Sequence, residues 1–404
     1  MTLNPLEERG IPIDDQLRTW SEMNVVPYDT EEVDPWTRCR VILMNGVEVE
    51  SIMFSHQFAR HTDIPELKQA LAMSRRVEQQ QQTAVNWLIP GDETTLEVTL
   101  GYEQEAVDLT AWLARNEPDP YFRQTLEFGL LEDFDHLYRY ANLYELLEGK
   151  KAERIVDSLT EVMPGRPTIQ EHRHPFDDVR RHMEKHSSHP QSKLNALTIV
   201  AAEQQVMNFY MTIGNRYMEP IARGLYAEIK EIEEQHVTQY ESILDPAMTW
   251  LENWAWHEYN ECYLYHSFLQ QEPDARIKAL WELHLNMEIG QLQVACDLLR
   301  RYEGREPEEI GLPTSLPVPV TFEDNKAFVR SVLAEQVEMT TDGPDYGAEP
   351  HRRYEAYQEK VNADGVPSEQ IIDLHRDQFH GEYRIETEGP HPVERLREPA
   401  TSGA

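Results

Sequence analysis

Glu103 is followed thirty residues later by Asp133-Phe134-Asp135-His136, and Glu203 is followed thirty residues later by Glu233-Glu234-Gln235-His236. Each stretch supplies one lone carboxylate, then a carboxylate three residues ahead of a histidine. Positions i and i+3 of a helix share a face, so each carboxylate–histidine pair can grip one object. Two copies of these three donors make a ligand set for two metal ions held between four helices.

Apolar spacing around the donors supports that reading. Leu96, Leu100, Val107, Ala111 and Ala114 recur at three- and four-residue steps, with Glu103 in their row. Leu126, Leu130, Leu137, Tyr140, Tyr144 and Leu147 mark a second helix with Asp133 in its row, stopped at Gly149. Ala196, Val200, Met207 and Tyr210 mark a third around Glu203, and Tyr226, Ile229, Val237, Tyr240 and Ile243 a fourth around Glu233. The same test separates neighbouring carboxylates. Glu132 shares a row with Phe128, Asp135, Arg139 and Asn142, which reads as a solvated face, and Glu234 likewise falls in a polar row. Carboxylates set in apolar rows are costly unless something satisfies them, and four in matched places with two histidines point to a shared partner.

Short links join the first helix to the second and the third to the fourth, which makes antiparallel neighbours. Residues 149–192 form a long connection between the two pairs, as a one-crossover four-helix bundle requires. This connection holds His172, His174, His182, His186 and His189 without a repeated ligand spacing, and reads as a solvated connector. Further helices are expected over 65–88, 248–270 and 274–301. Val41-Ile42-Leu43-Met44, Asn45-Gly46 and Val47-Glu48-Val49-Glu50 read as a β-hairpin with a type I′ turn. The expected organisation is a cap over 1–60, a helical body over 61–303 and a loosely structured acidic tail over 304–404.

These residues resemble the ferritin-like di-metal carboxylate proteins, the group of rubrerythrin, bacterioferritin and manganese catalase. Each helix pair there gives a Glu and then a Glu-x-x-His. Glu233 and His236 match that motif in full, and Asp133 and His136 match it with Asp for Glu. The resemblance covers about residues 94–246. It implies a mainly α, ferritin-like four-helix bundle with a long crossover and added C-terminal helices. It also implies two iron ions, with manganese as the alternative, held by Glu103, Asp133, His136, Glu203, Glu233 and His236. Carboxylate and imidazole donors suit iron or manganese, and the lack of thiolate argues against structural zinc. The implied activity is oxidoreduction with dioxygen or peroxide, with a small organic substrate as an option. Metal storage without turnover, or a degenerate structural bundle, is the alternative.

Other features are set beside this site. Glu258 precedes Glu288-Ile289-Gly290-Gln291 by thirty residues, with His257, Glu261, His266 and His284 nearby. This is a third echo in which Gln replaces His: it reads first as a polar patch between added helices, with a helix pair that has lost its histidine, or a polar lining or extra ligand from outside the bundle, as the alternatives that leave Glu258, Glu288 and His284 open as parts of a site. Glu78-x-x-Gln81 is a weaker lookalike. Tyr102, Tyr138, Tyr140, Tyr144, Tyr210, Tyr226 and Tyr240 cluster near the donors and read as core.

Composition excludes several classes. With 37 basic and 73 acidic residues the chain carries a formal charge of −36, which opposes nucleic acid and anionic membranes. Three cysteines form no framework, and the first ten residues lack an apolar signal core, so the cytoplasm is the expected compartment. No phosphate-cradling Gly-rich loop and no nucleophile elbow is found. Oligomeric state is left open, a homodimer included.

Overall fold

The computed structural model describes residues 3–165, 173–336, 352–384 and 389–394. Among them stand thirteen α-helices and no strand. In chain order they are α1 (Trp20–Met23), α2 (Pro35–His61), α3 (Pro65–Asn86), α4 (Thr95–Asn116), α5 (Pro120–Glu148) and α6 (Glu153–Val156). Then come α7 (Pro190–Ile213), α8 (Pro220–Glu241), α9 (Trp250–Gln271), α10 (Ala275–Glu303), α11 (Lys326–Gln336), α12 (Arg352–Val361) and α13 (Pro367–Phe379). None of them is long and apolar enough to cross a membrane.

Helix ends are written in the sequence. Pro at the first helical position starts α2, α3, α5, α7 and α8. Thr94 with Glu97 and Thr249 with Glu252 close capping boxes at α4 and α9, each worth about 1 kcal/mol. Gly149 and Gly304 end α5 and α10 in the left-handed conformation that glycine adopts without strain.

The expected hairpin at 41–50 is not formed: this stretch is the middle of α2. Short apolar runs do not distinguish a strand from a helix buried on several sides. Here Val41 to Glu48 are all buried, because α2 packs on α3, α4, α7 and α9 at once. The Asn45-Gly46 pair is a packing device and not a turn. A Cβ on Gly46 would collide with the Gln205 side chain and stand 3.0 Å from the Ala201 carbonyl oxygen. Glycine therefore lets α2 and α7 cross closely.

The eight long helices repeat as a set of four. Several markers of 34–149 return 155 positions later: Pro35 as Pro190, Pro65 as Pro220, Glu117-Pro118-Asp119 as Glu272-Pro273-Asp274, and Gly149 as Gly304. Helices α4 and α9 have 22 residues each, and α5 and α10 have 29. Contacts repeat as well. Glu117 accepts hydrogen bonds from Ser192 and Asn195, while Glu272 accepts from Thr37 and Arg40, the residues 155 positions earlier. Gln205 donates to Tyr102, and the equivalent Glu50 pairs with the equivalent His257. Gly46 meets Ala201, its own counterpart, so a local two-fold axis passes between α2 and α7.

That axis generates two four-helix groups. Helices α4, α5, α7 and α8 enclose one core, with Leu100, Leu130, Leu137, Tyr140, Tyr226 and Ile229. Helices α2, α3, α9 and α10 enclose the other, with Leu43, Leu71, Tyr259, Trp281 and Leu292. Beyond Gly304 the expected loose tail is, over the described residues, partly docked. Helix α13 buries Ile371, Ile372 and His375 against α5 and α8, and α11 packs on α5.

Candidate metal centre

Four helices each bring their donors to the centre of the first group. One donor atom from each of Asp133, Glu203, Glu233 and His236 lies within 4.8 Å of the others, and the same holds for Glu103, His136 and Glu233. All six sequence-predicted residues are thus brought together, with at most 1 % of any exposed. Glu233 belongs to both sets. Its Oε1 lies 3.1 Å from His136 Nδ1, and its Oε2 lies 3.2 Å from His236 Nδ1. His236 Nδ1 also faces Glu203 Oε2 at 3.4 Å and Asp133 Oδ1 at 3.5 Å.

The surrounding side chains orient these donors. Thr110 Oγ1 donates to Asp133 Oδ2 at 3.1 Å, and the Tyr210 hydroxyl donates to Glu103. Glu132 Oε2 lies 2.6 Å from His236 Nε2 and turns the other ring nitrogen toward the carboxylates. Glu132 is fully buried, contrary to the solvated face its row suggests, because that face lies inside the protein. Arg139 there pairs with Asp135 and bonds to Ser368 and Glu369 of α13, so the C-terminal helix covers α5. Glu234 is exposed, as its row predicts.

Electrostatics show groups crowded beyond what they can satisfy themselves. Burial pushes the Glu103 and Glu203 carboxyls well up, and brings Asp133 to about 7. Burial also opposes ionisation of Glu233, but the His136 and His236 imidazoles outweigh it and hold this carboxyl at about 2. His236 is disfavoured as a cation by burial, yet Glu203 and Glu132 raise it well above the usual imidazole range. Glu103 Oε2, Asp133 Oδ1 and Glu203 Oε1 are buried without a hydrogen-bond partner. Orphaned carboxylate oxygens beside two imidazole nitrogens fit a pair of cations that take nitrogen and oxygen donors.

Sequence reasoning missed two residues here. The row of Glu132 reads outward, and Glu105, fully buried with both oxygens lacking a partner, carries no signal in the sequence that marks it. Its neighbours Glu203, Asp133 and Glu103 add to burial in raising the Glu105 carboxyl. The histidine run contributes no donors: among the described residues, none of His174, His182, His186 and His189 joins a group with metal-ligand spacing. His174 and His189 instead cap helices, and His172 lies outside the described residues.

Fold and site together define a helical-bundle protein with a buried carboxylate–histidine centre. In comparison with known proteins, the chain matches no family model, no curated protein and no solved structure.

Proposed function

We propose that the chain is a di-metal carboxylate oxidoreductase of the ferritin-like type. Glu103, Asp133, His136, Glu203, Glu233 and His236 would hold two iron ions, with manganese as the alternative. The observation that carries this reading is the position of Glu233. Its two oxygens face two separate imidazoles, each accompanied by further carboxylates, so that Glu233 belongs to both donor sets and would help hold both ions. Two such ions, when bound, supply a two-electron exchange with dioxygen or peroxide.

The chain's own residues would do the rest. Glu132 holds the proton on His236 Nε2 and so keeps Nδ1 available as a donor. Thr110 and Tyr210 fix one oxygen each of Asp133 and Glu103 and leave the second oxygen unpartnered. Leu130, Leu137, Tyr140 and Tyr226 exclude water, which strengthens every charge interaction inside. The Tyr140 hydroxyl is buried without a partner and ringed by Tyr210 and Tyr226, and burial pushes it well up, so it keeps its proton beside Glu103.

Metal analysis of the full chain beside Glu233→Ala and His236→Ala tests the reading. Two iron or manganese ions per chain, lost in both variants, together with an oxygen-dependent absorption change, support it. Full metal content in both variants would remove the site assignment. Metal binding without any response to dioxygen or peroxide would leave the storage alternative.

A further inference from the structure

The local two-fold axis carries the donor positions of the first centre onto a second place in the molecule. Glu203, Glu233 and His236 correspond to Glu48, Glu78 and Gln81, each 155 positions earlier. Glu103, Asp133 and His136 correspond to Glu258, Glu288 and Gln291, each 155 positions later. These residues lie on α2, α3, α9 and α10, the second four-helix group. Both histidines of the first centre are carboxamides here, and every carboxylate is kept. One further carboxylate, Glu261, stands one helical turn beyond Glu258.

The geometry repeats too. One oxygen from each of Glu48, Glu78, Glu261 and Glu288 lies within 4.8 Å of the others, and all four residues are buried. Among the described residues none of the four forms an ion pair with lysine or arginine. The groups that face them are uncharged or spent elsewhere. Tyr265 donates to Glu48, His284 bonds to Tyr265 at 3.0 Å, and His257 pairs with Glu50 at 3.0 Å. Gln81 and Gln291 both donate to Glu288 and hold it in place. Glu258, bonded to Trp254, adds a fifth buried carboxylate.

The unspent atoms point to a ligand. Glu48 Oε2, Glu78 Oε2 and both oxygens of Glu261 are buried and lack a hydrogen-bond partner. Each such group costs about 1–3 kcal/mol unless something satisfies it. Glu261 is the telling case, since it is 1 % exposed and both its oxygens lack a hydrogen-bond partner, with Ser51 and Glu288 its polar neighbours. A cleft of about 180 Å³, lined by Arg18, Gln80, Gln81, Leu283, His284 and Met287, opens beside Gln81.

We propose that α2, α3, α9 and α10 hold a second cation site, in which Glu48, Glu78, Glu261 and Glu288 bind a hard divalent ion such as Mn²⁺. An all-oxygen donor set suits Mn²⁺, Mg²⁺ or Ca²⁺, whereas the imidazoles of the first centre suit iron and its neighbours. The two sites therefore differ in chemistry although the same backbone frame builds both. The second site does not depend on turnover at the first, nor on metal being bound there.

Equilibrium dialysis of the full chain against Mn²⁺ tests this, with Glu48→Gln/Glu261→Gln compared with the unmodified chain. The double variant should bind a whole ion fewer per chain. In a second comparison, Glu233→Ala/His236→Ala should retain the ion that Glu48→Gln/Glu261→Gln loses, which separates failure at one centre from failure at the other. The single variant Glu261→Gln, which gives up no hydrogen bond, serves if the double variant does not fold, and it too should weaken Mn²⁺ binding. Unchanged Mn²⁺ stoichiometry and affinity in folded Glu261→Gln and Glu48→Gln/Glu261→Gln would overturn the proposal and leave four carboxyls sharing protons.

Discussion

His236 Nε2 and Glu132 Oε2 stand 2.6 Å apart, with both side chains fully buried. The contact gives the imidazole one orientation, with Nδ1 toward Asp133, Glu203 and Glu233. Carboxylates placed behind a ligating histidine typically set metal affinity by about 10–100-fold. Glu132→Gln should therefore weaken the binding of Fe²⁺ or Mn²⁺ by about that factor at the His236 side, while helix content stays unchanged. Competition against a fluorescent chelator, with circular dichroism alongside, checks both halves. Equal affinity in the variant would mean that Glu132 merely fills space.

The paired helix-end carboxylates make a second expectation, because symmetry gives them equal places and unequal partners. Glu272 accepts from Arg40 at 2.9 Å, from Thr37 at 2.8 Å and from Trp281 at 3.2 Å. Its removal leaves Arg40 buried, with Asp34 at 3.7 Å its nearest remaining acid. Breaking a buried ion pair on one side costs about 3–5 kcal/mol. Glu117 is served by neutral Ser192 and Asn195, where the loss is about 1–3 kcal/mol. Urea denaturation should rank Glu272→Ala as clearly less stable than Glu117→Ala. The reverse order would contradict the charge argument.

The donor helices were legible because carboxylates and histidines sit at helical spacing within apolar rows, a signal that survives any tertiary context. Two errors share a physical origin. Helix α2 is buried on several faces, so it carries the continuous apolar run that a strand also shows, and Asn45-Gly46 imitates a turn. Misreading it hid Glu48, and with Glu48 the thirty-residue spacing to Glu78 that marks the second cluster. The polar row of Glu132, Asp135, Arg139 and Asn142 reads as solvated because one helix alone cannot show what will cover it. Here α13, whose Ser368 and Glu369 lie 229 and 230 residues beyond Arg139, does so through those two residues. The repeat of 155 stands behind the nearer echo of one hundred, since helices within one bundle share carboxylates and histidines while helices across the axis keep the carboxylates, caps and links but carry glutamine in place of histidine.

Gly46 sits where α2 crosses α7, and its substitution tests whether that crossing organises both bundles. Alanine there would press on the Ala201 carbonyl and the Gln205 side chain, and valine would add two methyls in the same space. Overpacking of this kind costs about 1–3 kcal/mol. Gly46→Val should lower the denaturation midpoint by the corresponding amount and weaken metal retention at both centres together, read by metal analysis. Ala201→Gly, at the equivalent position of α7, opens space and should cost only about 1 kcal/mol through helix propensity. If Gly46→Val leaves stability unchanged, the close crossing is not what holds the two halves in register.

Glu97 supplies a pH dependence whose sign can be worked out. It closes the capping box of α4 through the Thr94 amide at 2.8 Å, accepts from the Tyr144 hydroxyl at 2.7 Å and pairs with Lys150 at 2.8 Å. Burial opposes ionisation of this carboxyl, but these donors outweigh it and bring it from 4.5 down to about 2. A carboxyl held lower in the folded than in the unfolded chain stabilises the fold above its unfolded value, and that stabilisation disappears as the pH falls toward the folded value. It is therefore fully present above pH 4.5 and lost as the pH drops through about 2. Glu97→Gln should destabilise the chain by about 1–2 kcal/mol at neutral pH, after allowance for screening at the half-exposed Lys150. The gap between the two proteins should close between pH 4.5 and 2. Chemical denaturation at stepped pH measures it, and a gap that stays constant down to pH 2 would show that the hydrogen bonds count and the charge does not.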